Sequence, residues 1–230
     1  DMFGSSPKTV MTDSTKHHQY KAAKTDAAKL NEYIETVLQI EGVACKDWLT
    51  NKVDRSVTGK IARQQCQGEI QLPLSDCGVV ALDYTGNSGI ATSIGHAPQA
   101  GLIDPAAGSV LSITEALTNI VGANLNGGLK AVSLSANWMW PCRNEGEDAG
   151  LYRAVKACSD FACSLGINIP TGKDSLSMTQ KYGNKKVIAP GTVIISAGGE
   201  VCDVKKTVSP VLQQKKSRLY YIDFSGCDMQ

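Results

Sequence analysis

Long apolar runs are missing from this chain of 230 residues. Stretches such as Val187–Ala189 and Val193–Ile195 fall far short of the ~18–20 residues that cross a bilayer, so no membrane span is expected. Charge of one sign is missing too. Lys and Arg number 23 against 22 Asp and Glu, a formal net charge of +1, which argues against a dedicated nucleic-acid binder. Histidine is scarce, with three in all. His17 and His18 are adjacent in a polar, Lys-rich stretch and are expected to be solvated, which leaves His96 as the one imidazole of the folded region. No GxSxG, HExxH or GxGxxG occurs, so the best-known nucleophile, zinc-hydrolase and dinucleotide signatures are excluded. Eight cysteines are present, but without a CxxC or a Cys/His run they suggest neither a zinc site nor a secreted disulfide framework. Reduced thiols of a cytoplasmic protein, mostly acting as small core residues, are expected. The first ten residues, DMFGSSPKTV, lack the basic start and apolar core of a secretion signal, and with no initiator Met the chain reads as a piece of a longer one.

What is present is a globular composition, 42% hydrophobic and 20% charged, long enough for one large or two small domains. Residues 1–24, rich in Ser, Thr, Lys and Gly, read as a linker or extended arm. From Asp26 the positions Ala27, Leu30, Ile34, Val37 and Leu38 step by three and four, which predicts an amphipathic helix ending near Gly42. Cys77–Tyr84 and Gly89–Ile94 read as a hairpin. Asp104-Pro105 opens a helix to about Asn124, Leu129–Leu134 reads as a strand, and Glu147–Leu165 as a helix closed by Gly166. Ile167–Ile169 reads as a short strand entering the turn PTGKDSLSM. Val187–Ala197, interrupted by Pro190-Gly191, reads as a bent or edge strand, and Leu219–Phe224 as the start of a further one. With pure βαβ alternation absent, this order predicts an α+β domain, a mixed or antiparallel sheet with helices on one face.

Glu115 and Asn119 stand at i and i+4 of the second long helix and project from one face, a turn apart. Both offer hard oxygens of the kind Mg²⁺ takes, and Asp76, at the entry to the Cys77 strand, is the natural third. The competing reading is a solvated pair on a helix surface. In PTGKDSLSM, Lys173, Asp174, Ser175 and Ser177 gather one cation, one carboxylate and two hydroxyls. That set suits phosphate, but the GxxxxGK[ST] spacing of a P-loop is missing, and a turn of this kind is more often ordinary loop chemistry. Asp54 and Arg55, in DRSVTGK, suit anion contact or any exposed turn. The run Gly146-Glu147-Asp148 reads as a helix cap.

Taken together, KVDRSVTGKIARQQCQG, LIDPAAGSVLSITEALTNI, LSANWMWP, GEDAGLY and GKDSLSM, in this order and spacing, resemble the phosphoribosylformylglycinamidine synthase family over residues 25 to 230. That family is an ATP-dependent glutamine amidotransferase of de novo purine synthesis. It converts formylglycinamide ribonucleotide, ATP and glutamine to the formylglycinamidine ribonucleotide. The resemblance implies an aminoimidazole ribonucleotide synthetase N-terminal-like subdomain over 25–205, from the second half of the synthetase region. A connector and the first strand of the following subdomain would occupy 206–230.

By the same resemblance, Asp76, Glu115 and Asn119 fall on magnesium ligands of an auxiliary site holding ADP or ATP. Ser75 falls on a nucleotide contact and Lys46 on a lysine beside it, with Arg55, Lys173 and Asp174 as further nucleotide-side candidates. The implied partners are the remaining synthetase and glutaminase regions. The piece alone is expected to be inactive and to self-associate as a homodimer through the sheet that normally meets the first half. Two other readings remain open: part of a stand-alone ATP-using synthetase of the same superfamily, or a structural interaction domain whose acidic groups bind nothing.

Overall fold

The caps written in the sequence set the two long helices that carry the fold. The computed structural model of the chain describes residues 13, 24–50 and 59–222. It contains α1 (Leu30–Leu38), α2 (Asp47–Thr50), β1 (Ile61–Arg63), β2 (Cys66–Gln67), β3 (Leu72–Pro73), β4 (Cys77–Ala81), β5 (Gly89–His96), α3 (Pro98–Ile103), α4 (Pro105–Ile120), β6 (Ser133–Met139), α5 (Glu147–Leu165), β7 (Asn168–Ser175), β8 (Thr179–Tyr182), β9 (Lys185–Ile188) and β10 (Thr192–Val201). Asp104 caps α4 by accepting the Ala106 N–H at 2.9 Å, with Pro105 in the first helical position.

Six strands form one sheet in the order β1-β4-β5-β10-β6-β7, and β2-β3 and β8-β9 are separate two-stranded pairs. Every neighbouring pair in the large sheet is antiparallel except β6 and β7, which are parallel and joined through α5. The sheet is therefore mixed, as expected, and the strand–helix–strand order read from Leu129 to Ile169 is its one parallel βαβ unit. The core lies between the sheet and α4 and α5, with Val79, Ala91, Ile113, Ile120, Leu134 and Ile195 fully or almost fully buried. On the other face Val80, Ile90 and Ile94 stay exposed.

Strand β5 alternates buried and exposed along its whole length, and its inward residues are small. A side chain at Gly95 would meet the Ser112 carbonyl at 2.1 Å, so the absence of one lets α4 lie directly against the strand. Ser93 fastens the same approach, donating to the Ala116 carbonyl at 2.6 Å.

Several expectations need correction. The Leu129–Leu134 strand is a 3-10 turn at Gly128–Ala131 followed by β6, which starts at Ser133 and runs on to Met139. PTGKDS is not a turn: it continues β7 as an eight-residue strand. β7 is a sheet edge with most residues exposed, so no buried alternation marks it in the sequence. Val187–Ala197 is two strands parted at Pro190-Gly191, and β10 is not an edge but lies between β5 and β6. The helix from Asp104 stops at Ile120 rather than Asn124. Residues 219–222 form no regular strand, and Phe224 lies outside the described residues. The first helix exists as α1, yet Leu30, Ile34, Val37 and Leu38 are all exposed.

Among the described residues the cysteines form no disulfide, but only Cys66, Cys77 and Cys158 are buried core residues, whereas Cys45, Cys163 and Cys202 are exposed. His17 and His18 lie outside the described residues. Of the N-terminal arm, Asp13 pairs with Arg153 of α5 at 3.1 Å. No helix among the described residues is long and apolar enough to cross a membrane.

Candidate functional site

The β4–β5 ladder ends where Cys77 faces Ser93. Just past that point two side chains of α4 take up backbone groups of β5. Asn119 Nδ2 donates to the Ile94 carbonyl at 2.9 Å, and Glu115 Oε2 accepts the His96 N–H at 2.5 Å. The His96 ring follows the same carboxylate, with Nδ1 3.8 Å from Oε2. Backbone groups at a strand end need such partners, and residues spaced i, i+4 on a helix crossing the strand supply them. Each side chain spends one atom in this way. Because the Asn119 nitrogen is committed to a carbonyl, its amide orientation is fixed and Oδ1 remains as an acceptor. Glu115 likewise keeps Oε1, and its side chain is 45% exposed.

Asp76 is the residue immediately before β4, at the same end of the ladder, and is exposed. Ser75 precedes it. Its N–H donates to the Gln65 carbonyl at 3.0 Å, and its hydroxyl accepts from Arg63 Nε at 3.1 Å. Two carboxylates and one amide at one end of the sheet suit a hard cation completed by phosphate oxygens and water. Among the described residues no group of three or more His, Cys, Asp or Glu is arranged to hold a metal ion. The candidate set has only two such residues and depends on the Asn119 amide for its third oxygen.

The other candidates are placed elsewhere. Lys46 lies between α1 and α2, its Nζ donating to the Glu41 and Ala44 carbonyls at 2.6 and 3.0 Å. Lys173 and Asp174 sit on β7, opposite Asn137 and Trp138 of β6. β7 is three strands from β5, roughly 14 Å at the usual inter-strand spacing, and Lys173 Nζ donates to Ser175 Oγ at 2.9 Å. Neither is gathered with Glu115 and Asn119. Asp54 and Arg55 lie outside the described residues. Lys60, from the same motif, donates to the Leu82 carbonyl at 2.9 Å, and its ammonium lies 5.7 Å from the Tyr84 ring centre.

A second group of titratable side chains lies where β6 leads into α5. Burial pushes the Glu147 carboxyl above its ordinary value, partly offset by the nearby Trp140 indole. Burial also raises the Cys142 thiol, with Asp148, Glu147 and Asp174 adding to the rise. As expected from the sequence, Glu147 and Asp148 stand in the first turn of α5, where acidic groups suit the helix end. Motif reading missed Arg63, Ile94 and His96. Two of these act through backbone atoms, which no residue pattern advertises, and Arg63 sits in a short edge strand inside KVDRSVTGKIARQQCQG, where nothing in the spacing marks it as a contact.

A family model described as FGAR-AT PurM_N-like domain matches residues 45–200, a span that includes every candidate site residue named above. Phosphoribosylformylglycinamidine synthase of Homo sapiens is 43% identical over 198 residues, covering 85% of this chain and 15% of that protein. The chain thus spans about 15% of the length of this curated relative. Among solved structures, PurLQS from Thermotoga maritima superposes with a TM-score of 0.58 at 14% identity, over 89% of this chain and 29% of that one. T. maritima PurL complexed with ADP superposes with a TM-score of 0.53 at 16% identity, over 73% of this chain and 25% of that one. At these identities the two structures establish a shared fold.

Proposed function

Since the chain belongs to the FGAR-AT PurM_N-like domain family, we propose that it is one subdomain of a formylglycinamide ribonucleotide amidotransferase of purine synthesis. Its role there is to hold an auxiliary Mg²⁺–nucleotide site and to act as a scaffold, without turnover of its own. Residues 25–205 form the subdomain in this reading, and 206–230 lead into the next one.

The observation that carries the reading is the double use of Glu115 and Asn119: each secures β5 with one atom and keeps one oxygen at the sheet end that Asp76 shares. The PurL structure of the same fold that is complexed with ADP supports a nucleotide as the ligand. Asp76, Glu115 and Asn119 would hold the ion, and Ser75 would contact the nucleotide. When bound, magnesium neutralises phosphate charge. The chain's own residues supply oriented oxygens, and Glu115 and Asn119 need little rearrangement because their backbone bonds already fix them. A ligand that binds only the folded state also adds to its stability. Lys46, Arg55, Lys173 and Asp174 enter this reading as residues that reach the nucleotide only in the assembled enzyme.

The sheet face opposite α4 and α5 exposes Val80, Ile90 and Ile94, an apolar surface that needs a cover. We assign it to the remaining synthetase region, and in the isolated chain to a second copy. Light scattering at rising concentration is expected to show a dimer, and a monomer throughout would remove this part of the proposal.

Titration calorimetry of ADP into the chain with Mg²⁺, repeated with a chelator, tests the site. Metal-dependent binding that disappears in Glu115→Ala is the expected result. No binding in either condition would leave a structural domain whose acidic groups hold nothing.

A further inference from the structure

Arg63 lies within KVDRSVTGKIARQQCQG without a role assigned to it there, yet its guanidinium joins two segments that are far apart in sequence. Nε donates to Ser75 Oγ at 3.1 Å, and Nη1 donates to the carbonyl of Val208, 145 residues along the chain. Val208 in turn donates its N–H to the Gly122 carbonyl at 2.8 Å. Gly122 directly follows Val121, the C-cap of α4. A Cβ at Gly122 would come within 3.1 Å of Arg63 Nη1 and 3.3 Å of the Val208 oxygen, tight contacts that the bare glycine backbone avoids. Electrostatics favours the position as well, because the last carbonyls of a helix carry its negative end. The planar fork of arginine makes both contacts at once, which the single ammonium of a lysine does not reproduce.

We infer that Arg63 is a positioning residue of the proposed nucleotide site. It holds the Ser75 hydroxyl and fixes the chain at Val208 against the C-terminal end of α4, the helix that carries Glu115 and Asn119. The inference rests on the reading of Ser75 as a nucleotide contact. Its consequence is that the residue beside Asp76, the ligand-bearing helix and the departure point of the segment after Val208 behave as one unit. Arg63 touches no ligand in this account and acts through Ser75.

The test uses the whole chain with Arg63→Gln, Arg63→Lys, Ser75→Ala and the double variant Arg63→Gln/Ser75→Ala. Amide hydrogen exchange and ADP affinity in the presence of Mg²⁺ are the two readouts. In both Arg63 variants the Val208 amide is expected to exchange about tenfold faster, as for loss of one charge-assisted hydrogen bond. Amides within α5, such as Ala154 and Cys158, keep their protection and show that the variant is folded. Arg63→Gln weakens ADP binding about tenfold, and the double variant binds no more weakly than Ser75→Ala alone.

Unchanged exchange at Val208 would overturn the inference, as would an Arg63→Lys variant that behaves like the wild type. Effects of Arg63→Gln and Ser75→Ala on affinity that multiply would also overturn it, because Arg63 would then act independently of Ser75. Failure of the wild-type chain to bind ADP at all would refute the proposed function and with it the positioning role. Binding retained with Val208 unaffected would refute the role of Arg63 alone.

Discussion

The Glu115 carboxylate accepts the backbone N–H of His96 at 2.5 Å, closing β5 at the point where the β4–β5 ladder has ended. A residue that motif reading selects as a metal ligand is therefore also a structural partner of the sheet. The two roles separate by substitution. Glu115→Gln keeps an oxygen acceptor for His96 but lowers the charge offered to a cation. Its melting temperature is expected within a degree or two of wild type, with metal-dependent ADP binding strongly weakened. Glu115→Ala loses both, and for a half-exposed bond the stability cost is about 1 kcal/mol. Urea unfolding of the two variants checks this: an Ala variant as stable as wild type would mean that the His96 bond contributes nothing, and a Gln variant as destabilised as Ala would mean that the neutral amide does not keep the bond.

Asn119 gives the complementary case. Asn119→Asp keeps an oxygen for the ion but replaces the donor to the Ile94 carbonyl with a second acceptor. The free chain is expected to lose about 1 kcal/mol or more, and added Mg²⁺ with ADP should restore part of it by binding the folded state. Thermal melts with and without ligand measure both effects.

How much of this was legible in the sequence depends on which residues carry the signal. Asp104-Pro105 and Gly166 mark the ends of α4 and α5 because capping is local chemistry, and those helices lie close to where they were expected. The i, i+4 pairing of Glu115 and Asn119 is likewise local. β7 was hidden because an edge strand buries neither face fully, so Lys173 and Asp174 read as loop residues. Pro190-Gly191 inside one apolar stretch reads as a bent or edge strand, whereas it separates two strands, and the central place of β10 depends on partners distant in sequence. The contacts at Ile94 and His96, and the reach of Arg63 to Val208, arise only when segments distant in sequence meet.

The Glu147 carboxyl gives a pH signature. Its folded-state value lies above the ordinary 4.5, chiefly through burial. A raised folded value means that the group's contribution to stability is fully present below the unfolded value and is lost as pH rises through the folded one. Glu147→Gln, which stays neutral, is therefore expected to be more stable than wild type near neutral pH, with the difference vanishing below about pH 4. Melting temperatures across that range are the measurement, and a difference that grows towards acid pH would contradict the assignment.

Thiol labelling probes the core. Cys45, Cys163 and Cys202 are exposed and are expected to react first with an aromatic disulfide reagent. Cys158 is buried with its thiol pushed up to about 11, and should react only on unfolding, as should the buried Cys77, also raised by burial. Peptide mapping after brief labelling of the native chain reads the order, and early labelling of Cys158 would mean that the packing of α5 is wrong.

The most direct test of the central claim replaces Mg²⁺ by Mn²⁺ and follows paramagnetic broadening of backbone amide resonances as the ion and ADP are added together. If Asp76, Glu115 and Asn119 hold the ion, the amides of Asp76, Ile94, His96 and Glu115 broaden first. Those of Glu147, Asp148 and Asp174, on the α5 side of the sheet, remain sharp. Broadening that begins at that second acidic group, or that spreads evenly over the chain, would contradict the account.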